Sequence, residues 1–271
     1  MSGRIAGEEN LKIYNLKDMG QVFAVTNNKG GVGKTTTTAS LGKALSLLGK
    51  KVLLVDLDSQ GNLTSLYLPK TPEKTIFGSL ANETPLPEIS ISENLFLVPS
   101  SPDLIGIEKA FYTHYPDDRR GQASVLRRLL ESRRKDYDYI LLDCPPSLGD
   151  LTINALVASD GVYIVLTAES LPVKGLSSVI DAISRARGNY NKTLELSGIL
   201  ITRYNRRKIN RLVEETLRTN FGEIVFRTKI RENVDVMESP LYGKDIFDYS
   251  PDSIGAGDYM ELAKEVISKT L

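Results

Sequence analysis

The chain of 271 residues contains one cysteine, one histidine and no tryptophan. The single thiol, Cys144, excludes an internal disulfide framework and any four-cysteine metal site within one chain. A [4Fe–4S] cluster shared between two subunits needs two thiolates from each, so an iron protein of the nitrogenase type is excluded as well. His114 alone leaves little room for zinc hydrolase or Ser-His-Asp chemistry. The 34 basic residues equal the 34 acidic ones, which excludes a wholesale polycation, and any contact with nucleic acid must come from a local patch. No run approaches the roughly 18 apolar residues of a membrane span, and the first 20 residues hold no continuous apolar stretch of the secretory kind. The expectation is a soluble, cytoplasmic protein without membrane contact.

What is present is a regular alternation. Short apolar, β-branched runs occur at residues 21–26, 51–57, 94–98, 138–143, 161–167, 196–202 and 224–228. Their near-continuous hydrophobicity suits strands buried on both faces of a parallel sheet. Amphipathic stretches of helical length lie between them, among them residues 34–48 and 173–190, and this alternation predicts a doubly wound α/β fold with a mostly parallel sheet. Residues 68–93, rich in Pro and Thr, break the rhythm and read as an irregular excursion with a short helix near 75–80. Residues 1–20 read as a polar arm, flexible until Val22, and residues 21–271 as one domain.

The most informative segment is NNKGGVGKTTTT, residues 27–38, placed after a predicted strand and opening a predicted helix. Glycines let successive backbone N–H groups converge on one concavity, and the helix N-terminus adds its positive dipole end. Lys29, Gly30, Gly31, Val32, Gly33, Lys34, Thr35 and Thr36 are the candidate ATP-binding residues. Lys34 would reach the β- and γ-phosphates and the Thr35 hydroxyl would ligate Mg²⁺. The strict pattern wants glycine at position 28, where this chain has Asn28; asparagine is one of the few side chains that takes positive φ at modest cost. The result is a P-loop with a deviant Walker A motif and a second lysine, Lys29. Two aspartates, Asp56 and Asp58, end the second predicted strand, where residues two apart face the same side. Asp143 ends the run YDYILLD in the manner of a Walker B carboxylate that holds Mg²⁺, usually through water. An aspartate at a strand end can equally be a helix cap, but three of them beside a P-loop point to a nucleotide site.

Residues 203–211, RYNRRKINR, carry five basic side chains and no acidic one. Arg203, Arg206, Arg207, Lys208 and Arg211 are the candidate DNA-binding residues, suited to a phosphate backbone without sequence preference. The plain alternative is a solvated helix face. That alternative is favoured for the second basic stretch, residues 119–135, whose RRLLESRRK pattern is that of an ordinary amphipathic helix.

KGGVGKTTT, VLLVDLDSQGN and YDYILLDCPPSLG resemble the ParA/Soj family of partition ATPases, within the wider ParA–MinD group. Glu169 with Lys174, Gly175 and Leu176, and the stretch IRENVDVMESPLYGKDIFDYSPDS at residues 230–253, extend the resemblance from about Gly20 to Leu271. It implies a small-type member without an N-terminal helix-turn-helix domain, ATP and Mg²⁺ as cofactors, and slow, partner-stimulated hydrolysis. It further implies an ATP-sandwich homodimer, nonspecific DNA on the nucleoid as scaffold, and a ParB-like centromere-binding adaptor. By position, Lys29 is the signature lysine that crosses the dimer, Lys34 the P-loop lysine, and Asp58 the residue that positions the attacking water. Asp56 is implied as a switch residue close to the Mg²⁺ shell, and Thr35, Asp56 and Asp143 are the candidate metal residues. One departure stands out: where relatives often carry arginines, Arg231 is followed here by Glu232 and Asp235, which bears on the strength or place of DNA binding. Positioning of a non-DNA cargo is the alternative reading. MinD-like membrane cycling is less favoured, because residues 255–271 carry Asp258, Glu261 and Glu265 against Lys264 and Lys269 and read as a docking helix.

Overall fold

The computed structural model describes residues 19–168 and 173–270, the side chains of 173–175 excepted. In chain order the elements are β1 (Gln21–Thr26), α1 (Lys34–Leu47), β2 (Val52–Asp56), α2 (Asn62–Tyr67), α3 (Ile76–Asn82), β3 (Ile89–Ser92), β4 (Leu95–Val98), α4 (Ile107–His114), α5 (Arg119–Ala123) and α6 (Val125–Glu131). There follow β5 (Tyr139–Asp143), α7 (Asp150–Ala158), β6 (Gly161–Thr167), α8 (Val173–Asn189), β7 (Glu195–Thr202), α9 (Lys208–Phe221), α10 (Val234–Glu238), α11 (Ile246–Tyr249) and α12 (Ile254–Thr270). The strands form one sheet in the order β3-β4-β2-β5-β1-β6-β7. Every pairing is parallel except β3 with β4.

The apolar runs are continuous because each strand feeds two cores. Val22 and Ala24, Leu53 and Val55, Ile140 and Leu142, and Val162 and Ile164 point to one face, which α4, α6, α7, α8 and α9 cover. Phe23 and Val25, Val52 and Leu54, Tyr139 and Leu141, and Tyr163 and Val165 point to the other, covered by α1 and α12. The two-residue period of a strand makes this division automatic. α12 lies against α1 with Ala256, Tyr259, Leu262 and Val266 buried, as a docking helix should. Among the described residues no helix is long and apolar enough to cross a membrane.

Residues 224–228 are not the strand that their apolar character predicts. Val225 and Phe226 are buried, Phe226 N–H donates to the Ile199 carbonyl, and Ile230 N–H donates to Ile201. Between those two bonds the N–H groups of Arg227 and Thr228 donate instead to the Glu265 carboxylate of α12, at 2.8 and 2.9 Å. A side chain thus stands where the next ladder bonds would form, and only an isolated bridge, Ile199 to Val225, remains. The irregular excursion of residues 68–93 contains, besides α3, the edge strand β3 with a bulge between Ser90 and Ser92. Residues 1–18 of the expected arm lie outside the described residues. Gly20, assigned to that arm, is buried, with its N–H bonded to the Arg134 carbonyl, so fixed chain begins before Val22.

The second basic stretch is largely tied into the fold. Arg128 pairs with Glu83, Arg133 with Glu88 and Asp136, and Arg134 with Asp160.

Candidate nucleotide site

The parallel register brings the chemistry to one edge. Asp56 of β2 and Asp143 of β5 are direct neighbours in the ladder, and Val25 of β1 sits beside Asp143 on the other side. The loop after β1 therefore leaves the sheet next to two carboxylates, at the carboxyl ends of the strands, where open α/β sheets take their ligands.

Asn27 starts the loop. Its Nδ2 donates to the Val165 carbonyl of β6 at 2.6 Å and its Oδ1 accepts the Lys29 N–H at 3.0 Å. Gly31 and Gly33 have φ of 70° and 93°, a conformation that costs side-chain-bearing residues energy and glycine nothing. Asn28 does not share it: among the described residues the non-glycine positions of positive φ are Glu83 and Arg203. Asparagine is accepted at position 28 because the turn there needs no left-handed residue, not because asparagine tolerates one. A Cβ on Gly30 or Gly31 would meet nothing within 4 Å, so the loop bounds an open concavity. Gly33 caps α1 without a side-chain hydrogen bond, and the first turn of α1 carries no acidic residue. Its N–H groups and dipole are free for an anion.

Lys34 is buried, with Nζ 3.4 Å from the Lys29 carbonyl, folded over the loop that it would help to charge. Lys29 itself is exposed, as are Gly30 and Gly31, while Val32 is buried and Thr35 and Thr36 are half-buried. Thr38 Oγ1 is shared between the Lys34 carbonyl at 3.1 Å and Asp143 Oδ1 at 3.4 Å.

The two strand-end carboxylates differ in what they hold. Asp56 Oδ2 accepts the N–H and the hydroxyl of Thr64 at 2.8 and 2.7 Å, and Oδ1 accepts the Asp58 N–H at 3.1 Å. Asp143 Oδ2 is buried and unpartnered; it and Thr26 Oγ1, at the end of neighbouring β1, are the unpartnered buried side-chain oxygens or nitrogens among the described residues. Burial pushes the Asp143 carboxyl well above the usual range, and the Asp56 charge adds to this against the pull of the Thr35 hydroxyl and Lys34. Burial also raises Asp56, by more than its hydrogen bonds from Thr64 and Asp58 lower it. An orphan acceptor on a carboxylate that resists ionisation is the environment a cation relieves. No group of three His, Cys, Asp or Glu among the described residues forms a metal cluster of its own. That suits Mg²⁺, which takes one or two protein ligands, keeps waters and leans on substrate phosphates. The residues that fit it most directly are Asp143, through its unpartnered Oδ2, and the Thr35 hydroxyl. Asp56 has Oδ2 doubly engaged by Thr64 and would reach the ion only through Oδ1, which already accepts the Asp58 N–H. β2 ends at Asp56, so Asp58 lies beyond the strand, half-buried, with Oδ1 accepting the Gln60 N–H at 3.0 Å. Cys144 is buried, and burial with the Asp143 charge pushes its thiol pKa up, as in an unreactive cysteine.

On the far side of the loop a cavity of about 260 Å³ is lined by Val32, Thr36, Arg203, Met237 and Pro240 among others. Thr202 joins this region to the loop, its Oγ1 lying 2.8 Å from the Val32 carbonyl and 3.1 Å from that of Leu166. Beyond Thr202 come Arg203, Arg206, Arg207, Lys208 and Arg211, all exposed. None of their side chains forms an ion pair among the described residues, and α9 begins at Lys208 without an acidic residue in its first turn. Arg231, by contrast, is held by Asp258 with contacts down to 2.6 Å, and Glu232 accepts the Asn205 amide at 2.9 Å. Glu169 lies outside the described residues, as do the side chains of Lys174 and Gly175. Asn27 and Thr38 bound the segment that the sequence singles out but receive no role from it, whereas nothing local marks Thr64 and Thr202.

By fold and loop the protein is a P-loop ATPase. The AAA domain family matches residues 20–196. The chain is 41% identical over 254 residues to the sporulation initiation inhibitor protein Soj of Bacillus subtilis, covering 92% of this chain and 98% of Soj. It is 38% identical over 257 residues to the chromosome partitioning protein ParA of Caulobacter vibrioides, covering 92% and 94%. Among solved structures, cobyrinic acid a,c-diamide synthase from Mycobacterium smegmatis with bound ATP analog and magnesium is similar with a TM-score of 0.79 at 33% identity, covering 92% and 94%. The chain belongs to the ParA/Soj family of chromosome-partitioning ATPases.

Proposed function

We propose that this protein is an ATP-dependent DNA-partition ATPase whose nucleotide state governs nonspecific DNA binding. Residues 21–271 act as its ATPase domain. ATP is held by residues 29–36, with Lys34 on the β- and γ-phosphates and the base in the cavity beside Thr36 and Arg203. Mg²⁺ bound by Thr35 and Asp143 would neutralise charge on the phosphate oxygens during transfer. Asp58 positions the attacking water, and Asp56 fixes the loop that carries Asp58. Lys29, exposed at the rim, reaches across an ATP-sandwiched homodimer to the partner's phosphates. A cation supplied in trans is worth roughly 10³–10⁵ in rate in related chemistry. A ParB-like adaptor stimulates hydrolysis and the dimer opens. A nucleoid-associated, cytoplasmic location follows from this cycle.

The observation that carries the reading is the basic stripe. Five exposed cations with no carboxylate partner among the described residues lie on the same sheet edge as the P-loop. Unpaired like charges at a helix N-terminus repel one another and oppose the dipole, and a phosphate backbone removes both costs. Binding to an arbitrary duplex, measured with ATP, with ADP and without nucleotide across a salt series, tests it. Tight binding with ATP alone, weakening steeply with salt, is expected. ATP-dependent dimers that ignore DNA at every salt concentration would move the proposal to a different scaffold and cargo.

A further inference from the structure

Ser100 follows β4 at the carboxyl edge and is 1% exposed. Its hydroxyl donates to the Asp58 carbonyl at 2.7 Å and its N–H donates to Thr64 Oγ1 at 2.8 Å. The Thr64 hydroxyl donates in turn to Asp56 Oδ2 at 2.7 Å, and Asp56 Oδ1 accepts the Asp58 N–H at 3.1 Å. These four bonds close a ring through β2, α2 and the loop after β4. Asp58 is gripped at its N–H and at its C=O by the same ring, while its carboxylate stays outside it at the half-buried rim.

We propose that Ser100 and Thr64 are positioning residues for ATP hydrolysis, acting through this ring to fix the Asp58 backbone so that its carboxylate meets the attacking water in one place. The inference rests on the water-positioning role of Asp58 given above. With both ends of the residue pinned by buried groups and Oδ1 accepting the Gln60 N–H at 3.0 Å, little freedom is left to Asp58 beyond a rotation of its side chain that breaks that bond. Preorganisation of this kind is worth most in the chemical step and little in nucleotide binding, since misplacement by about 1 Å can cost about 10²-fold in rate.

The test is steady-state and single-turnover ATP hydrolysis by the full chain, with KM and kcat resolved. Ser100→Ala is a mild change: the Asp58 carbonyl keeps the Gly61 N–H at 2.9 Å, and the residue 100 N–H keeps Thr64. We expect kcat to fall about tenfold with KM for ATP within about twofold. Thr64→Val, equal in shape but lacking the hydroxyl, breaks two bonds of the ring and should lose more; Thr64→Ser, which keeps the hydroxyl, should recover most of the rate. In an Asp58→Ala background, adding Ser100→Ala should change the single-turnover rate less than about twofold, because residues acting as one unit are not additive. Wild-type kcat for Ser100→Ala, a parallel rise in KM, or a further loss on top of Asp58→Ala would each overturn the proposal while leaving Asp58 in its role. Wild-type hydrolysis by Asp58→Ala would remove the role of Asp58 and this inference with it.

Discussion

Asp143→Asn and Asp56→Asn remove one carboxyl each from neighbouring strand ends, yet the structure assigns them effects of different size on stability. Burial raises the Asp143 carboxyl from 3.8 to about 8, so near neutral pH the folded chain holds it largely protonated while the unfolded chain ionises it, and folding bears the cost of taking up that proton. At pH 6.5, nearly three pH units above the ordinary value, this corresponds to about 4 kcal/mol at about 1.4 kcal/mol per unit. The sign follows from the raised folded-state value: the cost is absent below about pH 4, grows as pH rises toward about 8, and is constant above. Asparagine abolishes it, but its Nδ2 inherits the unpartnered position of Oδ2 and returns about 1–3 kcal/mol. The net expectation for Asp143→Asn in metal-free buffer is a gain of about 1–3 kcal/mol at pH 6.5, larger at pH 8 and shrinking to a loss at pH 5. Asp56, raised to about 6, would be relieved of about 3 kcal/mol at pH 8 by the same conversion. It receives three hydrogen bonds on two oxygens, however, and an amide offers one oxygen, which returns about 1–3 kcal/mol, so Asp56→Asn should change stability by less than about 2 kcal/mol. Urea denaturation at pH 5, 6.5 and 8 with chelator present reads both. Saturating ATP and Mg²⁺ should then reverse the order, stabilising the wild type by about 3 kcal/mol at 100 times Kd and Asp143→Asn by much less. An Asp143→Asn variant weaker than wild type at every pH would refute the argument that this carboxylate waits for a cation.

Lys34→Ala should lower ATP affinity and hydrolysis together, whereas Lys29→Ala should retain nucleotide binding but fail to dimerise with ATP; equilibrium binding and sedimentation separate the two. Replacing Arg206 and Lys208 by alanine should reduce the log–log salt slope of DNA binding by about 1.8 per protomer. An unchanged slope would place the DNA elsewhere. Burial pushes Glu265 up, but the N–H groups of Arg227 and Thr228 and the nearby Lys269 outweigh it, leaving a lowered carboxyl. Its contribution is present above the ordinary value of 4.5 and lost as pH falls through the folded one. Glu265→Gln should therefore cost about 1–3 kcal/mol at pH 7, with the deficit narrowing as pH falls below 4.5 in a denaturation series.

Much of this was readable before the fold was known, because strand runs and the P-loop are local in sequence. Val52 to Asp56 announces a strand by composition, and residues 29–35 announce an anion site by glycine spacing. What sequence hid was non-local. Val225 and Phe226 look like strand residues, and only the Glu265 carboxylate, some forty positions away, explains why the ladder stops. β3, with serines on alternate positions at the sheet margin, lacks the apolar run of its neighbours and was lost among residues 68–93. The ring through Ser100 and Thr64 needs three segments in contact, which no local spacing encodes. Asp56 and Asp143 were each visible as strand-end acids, but their side-by-side register belongs to the sheet.

Thr202 has a consequence of its own. One hydroxyl touches the Val32 carbonyl of the phosphate loop, and the next residue, Arg203, holds φ of 48° and opens the basic stripe. A chain bent into so uncommon a conformation has few nearby alternatives, so it passes on a push from one side instead of absorbing it. In the proposed cycle, phosphate loop and basic stripe would be separated by a single peptide bond, and no long relay would be needed to make a hold on DNA depend on the phosphate bound.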